Sequence, residues 1–135
     1  MSGAGNGFRI TTDVSAMDVE FIARMLHSTY WAKDRSRERI VASLNASLCF
    51  GAFSGTKQVG FARVVTDRCT FAWLCDVVVD PEHRGKGVAK MLVKSVVEHP
   101  DLATTKMVLG TRDAHGLYEK FGFYRREMMF RKANE

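Results

Sequence analysis

The segment DPEHRGKGVAK, residues 80–90, constrains this chain more than any other stretch. It lies between FAWLCDVVV, an apolar run of strand character, and VAKMLVKSVV, in which Val88, Met91, Leu92, Ser95 and Val96 recur at the i, i+3, i+4, i+7 and i+8 spacing of an amphipathic helix. A strand, a glycine turn and a helix therefore follow one another directly. Arg84, Lys86 and Lys90 fall at the helix start, where the macrodipole already concentrates positive charge and each cation is disfavoured by about 0.3–1 kcal/mol. An anion is needed to offset them. Glycine turns that enter a helix present free backbone N–H groups, which cradle phosphates. The segment is not a nucleotide P-loop, because GxxxxGK[ST] is absent. It is a poor dinucleotide fingerprint as well, since GKGVAK lacks the third glycine and does not follow the first strand.

A chain of 135 residues is one domain's length and can bury a real core. Its net charge of +5 favours anionic partners without naming one. Nucleic-acid binding has no other support, for there is no helix-turn-helix, RNA-binding aromatic pair or zinc pattern. Cys49, Cys69 and Cys75 are odd in number and include no CxxC. They fit free thiols in a reducing compartment better than disulfides, and no metal site is expected. No apolar stretch reaches the ~18 residues of a membrane span, so no membrane partner is expected and the cytoplasm is the expected location. The small, glycine-rich MSGAGNG reads as a flexible tail over residues 1–7, ahead of a single domain over 8–135.

FRITT (8–12) alternates like an edge strand. Ser15, with Asp18 three residues on, reads as a helix start followed by the stripe Val19, Ile22, Ala23 and Leu26. Ser36 caps a second helix with Ile40, Val41, Leu44 and Leu48 on its stripe. LCFGAF and QVGFARVVT are two strands joined by a Ser54-Gly55 turn, and TFAWLCDVVV is a third, so an antiparallel meander is expected. The glycine-entered helix stops at His99-Pro100. KMVLGT is then a strand parallel to the one before the helix. AHGLYEKF is a short helix closed by Gly122, and FYRREMMF is the last strand. The fold class is α/β with a mixed sheet.

The residues Arg84, Gly87 and Ala89 spell Arg-x-x-Gly-x-Ala. This resembles the acyl-CoA-binding motif of the GNAT superfamily of N-acetyltransferases. LYEKFGF, at 117–123, is similar to that family's C-terminal signature, and the order of elements over residues 8–132 also matches. YWAKD, SLCFGAF, VGFARVVTD and TRDAHGLYEKFGF further resemble a compact bacterial branch of the family.

The resemblance implies a GNAT-like acyl-CoA N-acyltransferase fold, with an antiparallel N-terminal meander and splayed parallel strands. It implies acetyl-CoA as co-substrate, with the pyrophosphate held by Arg84, Gly85, Lys86, Gly87, Val88, Ala89 and Lys90. The pantetheine arm would lie along Val77, Val78 and Val79, and an N–H near Val79 would polarise the thioester carbonyl. Thr111 stands where many members have an asparagine touching that arm. Tyr118 would donate a proton to the departing thiolate. Tyr30 and Trp31, at the end of the first helix, would wall the acceptor pocket. The expected reaction is direct attack by a primary amine, most readily a small molecule. Acetylation of protein lysines or N-termini, and CoA binding without catalysis, are the alternatives. Compact members often dimerise, so a homodimer is compatible with the reading.

Asp76 stands out because every neighbour in FAWLCDVVV is apolar. A buried carboxylate costs several kcal/mol without a partner. Two roles are open to it: general base for the amine, as acidic residues here are in the family, or ion pair with Arg63 in the adjoining strand. His115 and Asp113 flank the tyrosine helix, and His115 is a second candidate base. Phe50, Phe61, Phe71 and Trp73 are expected in the core, and KDRSRER (33–39) on a solvated face.

Overall fold

The computed structural model describes residues 7–134. The tail expected over 1–7 therefore lies outside the described residues except for Gly7, as does Glu135. The elements are β1 (Phe8–Thr11), α1 (Val19–His27), α2 (Arg37–Asn45), β2 (Leu48–Ser54), β3 (Lys57–Thr66), β4 (Phe71–Val79), α3 (Val88–Val97), β5 (Lys106–Val108) and α4 (His115–Glu119). The strands make one sheet in chain order, antiparallel from β1 to β4 and parallel between β4 and β5. This is the mixed α/β sheet expected from the sequence.

Local chemistry sets the element ends. The α1 cap is Asp18, whose carboxylate accepts from the Phe21 N–H at 3.1 Å. Ser15 instead belongs to a 3-10 turn, Val14–Ala16, which Asp13 caps. Met17 is extended between the two, so the helix has to start afresh. Ser36 caps α2 as expected, accepting from the Arg39 N–H at 3.1 Å. The β2–β3 hairpin closes at Ser54↔Lys57, which makes Gly55-Thr56 the turn, with Gly55 left-handed at φ +60°.

Helices cover both faces of the sheet. On one, Val88, Leu92 and Val96 of α3 are buried against Ala52, Val59, Ala62 and Leu74. Burying each such side chain stabilises the fold by about 1.5–3 kcal/mol. On the other, Phe21, Ile22 and Leu26 of α1 and Ile40 and Leu44 of α2 pack on Cys49, Phe61 and Val78. Phe71 and Trp73 depart from the core role expected of them. They are 43% and 42% exposed, at the end of β4 remote from Val78, where the α1–α2 layer rests.

Two irregularities shape β4. Phe61 pairs with Val78 and Arg63 with Cys75, so β4 spends one residue more than β3 across the same interval. Asp76 lies in this bulge with a left-handed φ of +55°. The bulge switches the strand's faces: Ala72 and Leu74 point to the α3 side before it, Val77 and Val79 after it. The β4–β5 ladder is also short. It runs from Phe71↔Lys106 to Trp73↔Val108, and beyond that, among the described residues, the Leu74–Val79 half of β4 is paired with β3 on one edge and has no strand on the β5 edge.

The last strand expected at FYRREMMF is not formed among the described residues. Residues 123–134 join no sheet, and Tyr124, Met129 and Phe130 are exposed. Arg125, Arg126 and Glu127 break the alternation, so this segment has no continuous apolar face to bury.

Gly60 of β3 sets how closely α3 approaches. A Cβ there would meet Val88 Cγ1 at 2.9 Å and Leu92 Cδ1 at 3.1 Å. Both atoms are packed and lack room to withdraw. Gly60→Ala is expected to destabilise the fold by about 1–3 kcal/mol, measured by thermal melting; an unchanged melting temperature would show that α3 can lift off the sheet without cost.

Candidate active site

β4 ends in a 3-10 turn, Pro81–His83, that begins on the proline. Arg84 is extended, and Gly85 and Gly87 then take left-handed φ values of +78° and +84°. Side chains resist that region, and glycine enters it freely. A glycine-rich turn of this kind, set directly before a helix, is suited to presenting backbone N–H groups to an anion. Gly87 is also the α3 cap and supplies no capping side chain. The first-turn amides of α3, at Val88, Ala89 and Lys90, have no intrahelical acceptor by helix geometry. Val88 is buried and roots the loop, whereas Arg84, Gly85, Lys86, Gly87 and Lys90 are exposed and Ala89 is half-buried.

Sequence reasoning missed the brace beneath this loop. The Asp80 N–H donates to the Val59 carbonyl at 2.8 Å. The Asp80 carboxylate meets His83 Nδ1 at 2.7 Å and Lys57 Nζ at 3.8 Å. The DPEH run, with an acid and a histidine three apart around a proline, was the available signal.

Beside the loop opens a cavity of about 390 Å³. Val77 and Val78, from the half of β4 beyond the β5 ladder, contribute to it, and Arg84 stands at the loop side. Tyr30 and Trp31 also line it, with their rings edge-to-face at 5.0 Å. They lie beyond the end of α1, in the turn leading to α2. Arg112 and Asp113, from the segment before α4, line it too. Val79 closes the β3–β4 ladder opposite Gly60. The Thr111 hydroxyl accepts from the Ala114 N–H at 3.0 Å, which shapes the entry to α4.

Tyr118 lies on α4, packed against the α3-side core and edge-on to Phe123 at 5.9 Å. It is not one of the residues lining the cavity. Burial raises its phenol pKa, and the neighbouring charges of Asp113 and Tyr30 raise it further. The phenol therefore keeps its proton at neutral pH. His115 is half-buried at the first residue of α4.

Asp76 is the most heavily committed side chain in the region. Its carboxylate is 1% exposed. Oδ1 accepts from Trp31 Nε1 at 2.9 Å, and Oδ2 accepts from Arg35 Nη1 at 2.8 Å and Arg63 Nε at 2.9 Å. Arg63 also donates to Ser47 Oγ at 3.0 Å. Burial alone would push the Asp76 carboxyl up, but the hydrogen bonds and charges of Arg35 and Arg63 outweigh it and hold the pKa below its ordinary value of 3.8. This geometry departs from the base role expected of Asp76. The carboxylate does not line the cavity, and three donors already hold its oxygens. The Arg63 pair is present, enlarged by two residues the sequence did not connect to it. Arg35 comes from KDRSRER and points inward rather than to solvent. Its signal was a basic run directly after Tyr30-Trp31, facing a carboxylate in need of partners.

Near the site, burial is the main cause that pushes the Cys49 thiol up to about 11 and the Cys75 thiol up to about 12. Neither is a thiolate at neutral pH. The described residues contain no group of three or more potential metal ligands and no helix long and apolar enough to cross a membrane.

A mixed sheet that parts beside a glycine loop at a helix start is the architecture of an acyl-CoA N-acyltransferase. Residues 18–123 match the model of the Acetyltransferase (GNAT) family. A proposed GNAT-family acetyltransferase from Xanthomonas campestris pv. campestris superposes with a TM-score of 0.90 at 43% identity, over 93% of each chain. A proposed acetyltransferase of Gibberella zeae is 30% identical over 111 residues, 67% of this chain and 63% of that protein. An uncharacterized N-acetyltransferase of Pyropia yezoensis is 26% identical over 108 residues, 76% of this chain and 62% of that protein. The chain thus spans less than two thirds of the length of these two relatives. Glucosamine-6-phosphate N-acetyltransferase of Arabidopsis thaliana shares the fold, with a TM-score of 0.70 at 19% identity over 95% of this chain and 99% of that one. This chain belongs to the GNAT family of acetyltransferases.

The Asp76 contacts give a signed expectation. A carboxyl whose folded pKa is depressed stabilises the fold above its unfolded pKa and loses that contribution as pH falls through the folded value. Asp76→Asn should cost about 3–5 kcal/mol at neutral pH, because two guanidinium groups lose their counter-charge. The gap to wild type should narrow below about pH 4. Thermal melts at pH 7 and at acidic pH check both parts; equal stability at pH 7 would remove Asp76 as an anchor.

Proposed function

We propose that this chain transfers the acetyl group of acetyl-CoA to the primary amine of a small molecule, by direct attack within a ternary complex. The observation that carries this is the open β5-side edge of the Leu74–Val79 half of β4, beside a cavity with the glycine loop on one side and an aromatic wall on the other. Family members use acetyl-CoA as co-substrate, and the residues here suit it. The left-handed glycines and free helix amides fit the pyrophosphate. The Val77–Val79 backbone has an open edge for the amide groups of the pantetheine arm. The modest cavity favours a small acceptor over a folded protein.

Holding both substrates in near-attack geometry lowers the barrier by about 7–11 kcal/mol. The amine nitrogen bonds to the acetyl carbonyl carbon while an N–H near Val79 stabilises the developing oxyanion. The C–S bond then breaks, and the CoA thiolate takes the Tyr118 proton. Asp76 anchors this site rather than serving as its base, and the proton from the amine passes to water. The three free cysteines fit action in a reducing compartment, the cytoplasm.

Thiol release from acetyl-CoA across a panel of amines tests the reading, with a lysine peptide and an N-terminal peptide as further acceptors. Turnover only with the peptides would make this a protein acetyltransferase. Tight CoA binding without turnover on any acceptor would make it a binding module. Gly87→Glu places a bulky anion where the phosphates belong and should abolish acetyl-CoA binding in calorimetry; undiminished affinity would move the cofactor elsewhere. Tyr118→Phe should leave acetyl-CoA affinity intact and lower kcat roughly 10–10³-fold. Unchanged kcat, with chemistry rate-limiting, would reduce Tyr118 to a packing residue.

A further inference from the structure

Most polar groups around the acceptor side of the cavity are already spent. The Ser28 and Thr29 hydroxyls donate back to the Met25 and Leu26 carbonyls at 2.6 and 2.7 Å. The Trp31 N–H is given to Asp76. Arg84 turns Nε toward the Val79 carbonyl at 3.3 Å and belongs to the glycine loop. Two charged side chains remain, Arg112 and Asp113, and both line the cavity. Among the described residues, neither has an ion-pair partner within 4.0 Å, including the other.

Their surroundings hold them ready. The Arg112 guanidinium lies over the Tyr30 ring, 3.7 Å from its centroid. Stacking of this kind uses the flat face of the guanidinium and leaves its N–H edge to meet an oxyanion two bonds at a time. Tyr30 is itself seated edge-to-face on Trp31, whose indole is fixed by Asp76. The guanidinium is thereby linked, ring by ring, to the buried anchor in β4. Asp113 is exposed to the cavity and close enough for its charge to reach Tyr118, the group assigned to the leaving thiolate. A cationic nitrogen drawn to Asp113 is thus drawn toward the reacting end of the site.

We infer that Arg112 and Asp113 form a dipolar acceptor subsite that selects a small amine carrying its own anionic oxygen group, a carboxylate or a phosphate. Asp113 attracts the ammonium, and Arg112 binds the anion while stacked on Tyr30. Amines with several positive charges, such as polyamines, are disfavoured, because Arg112 repels the second charge. The inference rests on the transferase reading above, and it adds the class of acceptor.

The test compares matched acceptors: amino acids against their α-carboxamides, phosphoethanolamine against ethanolamine, and putrescine as the dication. Each is measured for acetyl transfer and, by calorimetry, for binding to the CoA-loaded protein. At least one amine bearing an anionic group should exceed its counterpart without that group by roughly ten-fold or more in kcat/KM, a typical worth for a charge-assisted bidentate contact. Whether the carboxylate or the phosphate pair shows the larger ratio identifies the anion. Arg112→Gln should collapse that ratio through KM for the amine, with KM for acetyl-CoA unchanged, and Arg112→Lys should restore it in part. Asp113→Asn should raise KM for amines with and without the anionic group alike, because all of them carry the ammonium. Anionic amines that bind through Arg112 without thiol release would keep the subsite and overturn the transferase reading. Acetylation that favours putrescine or the amines lacking an anionic group, or that ignores Arg112→Gln, would overturn the subsite and leave the transferase reading standing. Binding of none of these probes would also overturn the subsite.

Discussion

The site depends on one buried carboxylate. Asp76 collects Arg63 from the neighbouring strand and Trp31 and Arg35 from the turn between the first two helices. A carboxylate taken out of water has to be repaid by charge and hydrogen bonds, and here three donors do so at 2.8–2.9 Å. The turn that walls the acceptor side has few apolar residues to bury for itself: Tyr30 and Trp31 are 48% and 44% exposed. Its position against the sheet follows from this polar contact more than from packing. The bulge that carries Asp76 is part of the same arrangement, since its left-handed backbone places Cys75 and Asp76 together toward the α1–α2 layer before the strand resumes.

The bulge ties anchor and reaction to the same few residues. Immediately after Asp76, Val77 to Val79 form the open edge proposed for the pantetheine arm, and immediately after those come the Asp80 brace and the glycine loop. Strand, bulge, edge and the loop proposed to hold the phosphates occupy residues 74–90 without a break. On the opposite face, the missing side chain of Gly60 lets Val88 and Leu92 seat deeply, which holds the start of α3 close to the end of β4. The loop is consequently placed by core packing, although all of its working atoms are backbone. An arrangement of this sort is precise at low cost, because the backbone donors lose little freedom when a ligand binds.

Much of this was legible in the chain. The strand–glycine–helix succession around 80–90 determined the loop proposed to hold the phosphates, because left-handed backbone and helix-start amides are local properties of Gly85, Gly87 and the turn that follows. The apolar stripe of α3, the Ser36 cap and the antiparallel meander are equally local. So is the strangeness of Asp76, one acid in an apolar strand. Its partners were another matter. Arg63 could be paired with it from adjacent strands, but Trp31 and Arg35 lie more than forty positions away, Arg35 within a run that reads as solvated, and only the docking of the α1–α2 turn on the sheet brings them in. The bulge was hidden for a similar reason: one extra residue in β4 is defined by what β3 does opposite it. FYRREMMF erred in the other direction, since aromatic content promises a strand only where a neighbouring edge and a buried face are on offer. By itself the sequence determined which backbone could hold an anion and which carboxylate could not stand alone. Tertiary structure decided what that carboxylate holds, and which charges, Arg112 and Asp113, were left over to meet a substrate. Pairing between remote side chains is set by how whole layers pack, and no local pattern encodes it.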